Sequence, residues 1–143
     1  MNPGQLFSLA NTTALVTWLV LIVFQRKPWA RNTVALLAVS LFAAAYALII
    51  GSTWTNSQGG FGSLDAVGQL FDQPWVLLAG WLHYLAFDLL VGRWEAADAA
   101  ERQVPAWLVA PCMALTFMFG PVGWLAYCAV RRLPRSGSAV SQS

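Results

Sequence analysis

No charged residue interrupts the run from about Leu6 to Phe24, LFSLANTTALVTWLVLIVF. A helix needs about 20 consecutive apolar residues to cross the hydrocarbon of a bilayer. Three more runs of this kind follow, over about Thr33–Ile50, Pro74–Trp94 and Val104–Val130. In lipid each backbone N–H and C=O must be satisfied within its own element, so segments of this length dictate helices. The expected fold is all-α: an integral membrane bundle of four transmembrane helices, forming one domain over residues 1–143. Charge agrees with this reading. Only 10% of residues are charged, against about 25% in a typical soluble domain. The formal net charge of +2 is small and scattered, which excludes a basic nucleic-acid footprint.

The first positive charges, Arg26 and Lys27, come after the first run. A cleavable leader would place them before a shorter apolar core, so the segment reads as a true span. Between the second and third runs, Gly51–Gln73 is polar and rich in glycine, with Gly59, Gly60 and Gly62 marking a loop. Inside it Phe61, Leu64, Val67, Leu70 and Phe71 recur at steps of three and four, the pattern of a short interfacial helix. Pro74 is a good first residue for the third helix. Pro111 and Gly120-Pro121-Val122-Gly123 predict a kink or break near the far end of the fourth. The small, polar tail over 134–143 is expected to be disordered. Tryptophans 18, 29, 54, 75, 94, 107 and 124 fall mostly near span ends, as an interfacial belt would. Four crossings put Arg26, Lys27, Arg31, Arg93 and Arg102 on one side and Arg131, Arg132 and Arg135 on the other, a weak orientation signal.

The third run carries the chemistry. Charged residues inside a span are costly and mark cavities or functional sites. Asp88 lies within this run, and Trp81, Tyr84, Asp88 and Glu95 share one helical face at steps of three, four and seven. His83 is turned about 140° from Asp88, on the stripe of Phe87, Leu90 and Trp94, and needs a partner from another helix. Two plainer alternatives stand beside a catalytic one. Asp88 pairs with Arg93 or caps a neighbouring helix, and His83 is a satisfied interior histidine. The following EAADAAER stretch (95–102) reads as a solvated helical extension, or as a metal or head-group site at the membrane surface. The Gly-Pro break frees backbone carbonyls, which only protein or a cavity can cover. Arg93, Gly120, Pro121 and Gly123 are therefore expected to shape a polar pocket among apolar and aromatic side chains. Cys112 and Cys128 read as small buried hydrophobes, no metal-ligand spacing is present, and a lone histidine excludes bis-histidine haem within the chain.

Two stretches, WLHYLAFDLLVGRW over 81–94 and PCMALTFMFGPVGWLAY over 111–127, resemble the family of the plant abscisic-acid-deficient membrane protein of neoxanthin synthesis. The resemblance implies a small four-span membrane protein that acts on carotenoids, in the plant case by net isomerisation of an epoxide without a cofactor. It supplies no catalytic assignment. The absence of a transit extension, with the richness in Ala, Trp and Arg, sets the expected location as a bacterial inner membrane, so the plant substrate is not carried over.

Two functional readings follow. In the first, the chain is a lipid-phase isomerase, with Asp88 as base and His83 or Tyr84 as proton donor. In the second, it is a non-catalytic carrier of a carotenoid or quinone, or an assembly subunit of a membrane complex. The partners expected are membrane lipid, a carotenoid or other polyene, and a second copy of the chain in a homo-oligomer. A transporter is the weakest alternative, for a chain without internal repeats.

Overall fold

A computed structural model describes residues 1–133, among which six α-helices and no strands are found. The tail expected to be disordered lies outside the described residues. Helix α1, Pro3–Val23, opens on a capping box: Asn2 Oδ1 accepts from the Gln5 amide at 2.9 Å, and Gln5 Oε1 accepts from the Asn2 amide at 3.0 Å. A π-helical turn at Ala30–Val34 leads into α2, Ala35–Thr53. The short helix expected in the second connection is α3, Leu64–Phe71, capped by the Ser63 hydroxyl on the Ala66 amide. Helix α4 runs from Pro74 to Glu101, through the EAADAAER stretch up to Arg102, its C-cap.

Helices α1, α2 and α4 are long and apolar enough to cross a membrane. α4 is the central element, packed by α1, α2, α5 and α6. Its direction relative to its neighbours is fixed by contacts. Trp81 bonds Asn11 and Gly92 abuts Trp18, so α1 runs parallel to α4. Tyr46 meets His83 and Asn32 meets Arg93, so α2 runs antiparallel. A Cβ on Gly92 would overlap the Trp18 indole, so glycine is what lets α1 approach here; Trp18 is thereby a core residue rather than part of an interfacial belt.

The fourth apolar segment departs from expectation. It is not one span but two helices, α5 at Ala106–Phe119 and α6 at Pro121–Val130, of 14 and 10 residues. α5 runs back along α4, so that Gly120 lies at the Asp88 carboxyl. Continuing straight, α6 would carry Tyr127 toward Trp81. Instead the Tyr127 hydroxyl donates to Asp98 Oδ2 at 2.6 Å and Arg131 reaches Asp98 Oδ1 at 3.2 Å. Asp98 lies ten residues, about 15 Å, in the opposite direction along α4. The break expected near the far end is therefore a full reversal. α5 and α6 form a hairpin that enters from the Glu101 end of α4, turns about 20 Å in, and returns to the same end. Gly123 makes the turn tight: a Cβ there would overlap the Thr116 backbone N and Cα.

Candidate functional site

Residues 84, 88 and 95 share a face of α4 by helical spacing, and that face receives the hairpin. α5 ends at Gly120 with φ +45°, a conformation L side chains rarely adopt, and Pro121 opens α6, where its missing N–H costs nothing. The Gly120 amide donates to Thr116 O at 2.8 Å, and its carbonyl accepts from the amides of Gly123 and Trp124 at 3.1 and 3.3 Å. A Cβ on Gly120 would sit 2.9 Å from Asp88 Oδ1, so glycine also lets the carboxyl approach the tip.

A helix end leaves its last carbonyls without intrahelical partners. Tyr84 answers two of these, its hydroxyl lying 3.4 Å from Phe117 O and 3.5 Å from Met118 O, beside the Asp88 carboxyl. Asp88 Oδ2 is buried and has no hydrogen-bond partner among the described residues. Two helical turns further, Glu95 is 0% exposed. The Thr116 hydroxyl donates to its Oε1 at 2.8 Å, while Oε2 is also buried without a partner. At the end of the stripe Asp98 accepts from Tyr127 and Arg102 and pairs with Arg131. The site is thus a line of three carboxyls running from the Glu101 end of α4 to mid-helix, the inner two with unspent acceptor capacity.

The hairpin covers only half of this face. Beyond its tip, α1 and α4 border an open apolar cleft of about 280 Å³, lined by Pro3, Phe7, Leu77, Leu78 and Trp81. Trp81 is held there by its indole N–H to Asn11 Oδ1 at 2.7 Å, and its ring packs on Tyr84 at 5.3 Å. Tyr84 and Asp88 do not line the cleft; they lie between its Trp81 wall and the hairpin tip, one and two helical turns along α4. A phenol and a carboxyl side by side can donate and accept protons, and an apolar slot can align a long hydrocarbon against them.

Of the residues singled out from sequence, the structure brings together Tyr84, Asp88, Gly120, Pro121 and Gly123. It does not bring His83 to Asp88. His83 is exposed, with its ring against Tyr46 of α2 at 5.7 Å and Phe87 at 4.5 Å. Nor does Arg93 clamp Asp88. Its guanidinium donates to Arg31 O and Asn32 Oδ1, both at 3.0 Å, bracing the π-helical turn before α2. Glu95 is the residue sequence reasoning under-weighted: read as part of a solvated extension, it is buried because the returning hairpin lays Thr116 over it. Its place seven residues after Asp88 was the available signal. Among the described residues no three His, Cys, Asp or Glu side chains are grouped as a metal site would require.

A family model described as ABA DEFICIENT 4-like matches residues 5–127. The chain belongs to the ABA DEFICIENT 4-like family. No curated protein and no solved structure matches it. The ABA DEFICIENT 4-like match takes in Tyr84, Asp88, Glu95, Thr116, Gly120 and Gly123, and ends at Tyr127, the residue that ties the returning helix to Asp98. Arg131 and Arg132 lie beyond it.

Proposed function

We propose that the chain acts within the bilayer on a carotenoid or related isoprenoid, by isomerase-type acid–base chemistry with Asp88 as base and Tyr84 as proton donor. The observation that carries this is Asp88 Oδ2, buried at the hairpin tip without a partner among the described residues, with the Tyr84 phenol beside the carboxyl. An apolar cleft one helical turn away, walled by Trp81, adds room for a hydrocarbon. A carboxyl that served packing alone would have its oxygens paired. Membership of the ABA DEFICIENT 4-like family supports the carotenoid connection. In the reaction, Asp88 removes a proton from a carbon next to the strained or conjugated centre while Tyr84 protonates the oxygen or carbon that gains the electron pair. Substrate and product then have the same composition. Returning the proton from Asp88 to Tyr84 through solvent or the polar stripe resets the pair.

Expression in a host that makes coloured carotenoids tests the reading. The expected result is a new pigment isomer by chromatography, dependent on the chain. Unchanged pigment that co-purifies would replace the enzyme with a carrier, and neither result would reject both.

The membrane placement we infer has three crossings and a half-depth hairpin in a bacterial cytoplasmic membrane. Its support is charge. With the hairpin returning, all the described basic residues, Arg26, Lys27, Arg31, Arg93, Arg102, Arg131 and Arg132, gather at one end of the bundle, while the other end carries Asp65 and Asp72. Lysine and arginine accumulate on the cytoplasmic side. In a chain with Cys112 and Cys128 changed to alanine, single cysteines at positions 27 and 133 should be protected together from a membrane-impermeant thiol reagent in intact cells, and one at 64 labelled. A fourth crossing would instead place 27 and 133 on opposite sides.

A further inference from the structure

The returning hairpin builds a second cleft, at the basic end. It measures about 470 Å³ and is lined by Trp94, Trp124, Cys128, Arg102, Arg131 and Arg132. Trp94 and Arg102 come from α4 and its C-terminal cap, and the others from α6 and the turn after it. We propose that this cleft binds a phosphate group at the membrane surface, with the two tryptophans flanking the first carbons of an attached lipid.

Three guanidiniums line the cleft. One carboxyl behind them, Asp98, accepts from Arg102 Nε at 2.9 Å and forms an ion pair with Arg131 at 3.2 Å. It is itself held by the Tyr127 hydroxyl. Each pairing uses one side of a planar fork and leaves the other N–H donors free, the arrangement that takes phosphate bidentately. The Arg131 guanidinium also lies over the Trp94 ring, 5.2 Å from its centroid, which fixes its plane. Three positive charges, set against Asp98 and against Glu101 beside Arg102, leave the cleft with an excess of one, suited to an anion. Tryptophan walls at an interfacial level suit the apolar body behind a phosphate head. A surface salt-bridge cluster serving stability alone would not leave Arg132 lining a hollow without a carboxylate partner among the described residues.

Native mass spectrometry of the full chain, released from nanodiscs of mixed phosphatidylglycerol and phosphatidylcholine, tests this. Retained phosphatidylglycerol in preference to phosphatidylcholine is expected, and the preference should fall about thirtyfold in the double variant R102Q/R132Q, since each interfacial arginine contributes roughly fivefold. Both side chains are exposed, and an unchanged melting temperature of the variant shows that the fold persists. A single R132Q variant, which touches no ion pair, should lose about fivefold if the double variant melts early. Inorganic phosphate titrated into the protein in phosphatidylcholine nanodiscs separates the sources. Quenching of tryptophan emission by phosphate alone assigns a free phosphate compound, and its absence with retained phosphatidylglycerol assigns the lipid. Equal retention of the two lipids with no phosphate response, or a preference unmoved in R132Q, overturns the proposal.

Discussion

Asp88→Asn should abolish pigment conversion while leaving the protein inserted and folded. The substitution keeps the shape of the side chain, so Gly120 still closes on it at the hairpin tip. What it removes is the capacity to take and return a proton. Positioned acid–base groups contribute about 10²–10⁴-fold to rate, and turnover should fall by that range. Stability should move the other way or not at all. Asp88 Oδ2 is buried without a partner, and an unpaired buried acid is a cost to the fold. An amide there carries no charge, so the melting temperature of the purified variant should equal or exceed that of the parent. Loss of conversion with an unchanged melt assigns chemistry to Asp88. Parental turnover by the variant would end the catalytic role.

Gly123→Ala should unfold the hairpin. The added methyl would overlap the Thr116 backbone N and Cα as well as its hydroxyl, so no rotamer change relieves it. Overpacking of this kind typically costs about 1–3 kcal/mol. Here the upper end or more is expected, because moving α6 away also separates Tyr127 from Asp98. Thermal denaturation in detergent should show a lower transition and poorer recovery from membranes. Gly68→Ala is the control: its Cβ would meet nothing within 4 Å, on a helix where alanine is the better former, so its melt should hold or rise. A parental melt for Gly123→Ala would mean that the hairpin is looser than the backbone contact implies.

Much of this arrangement was legible in sequence, for identifiable reasons. Apolar length set the helices, and steps of three and four found α3. The spacing of Tyr84, Asp88 and Glu95 placed three polar side chains on one face before any neighbour was known. What hydropathy could not convey was direction. A run from Val104 to Val130 has the length of a span whether it continues or doubles back, and Gly120-Pro121 is compatible with a kink or a reversal. Only Gly123, which leaves room for Thr116, separates the two, and its role depends on a contact between helices. The same ambiguity weakened the charge signal: counting arginines across four crossings split a set that the hairpin reunites. His83 and Arg93 failed for a related reason. A helical wheel gives the angle between side chains but not which angle faces protein, and their partners, Tyr46, Arg31 and Asn32, are distant in the chain.

The hairpin's return also bears on how such a chain is inserted. In the membrane placement proposed above, both of its ends stay on the side where it entered, so none of the described lysines or arginines has to be carried through hydrocarbon during biogenesis. What must be translocated in that placement is the few residues before α1 and the α2–α4 connection, whose acidic residues Asp65 and Asp72 offer the insertion machinery little resistance compared with arginine. On that placement depth is reached from one side, and the carboxyl at the tip enters the bilayer without any of the described guanidiniums making the crossing.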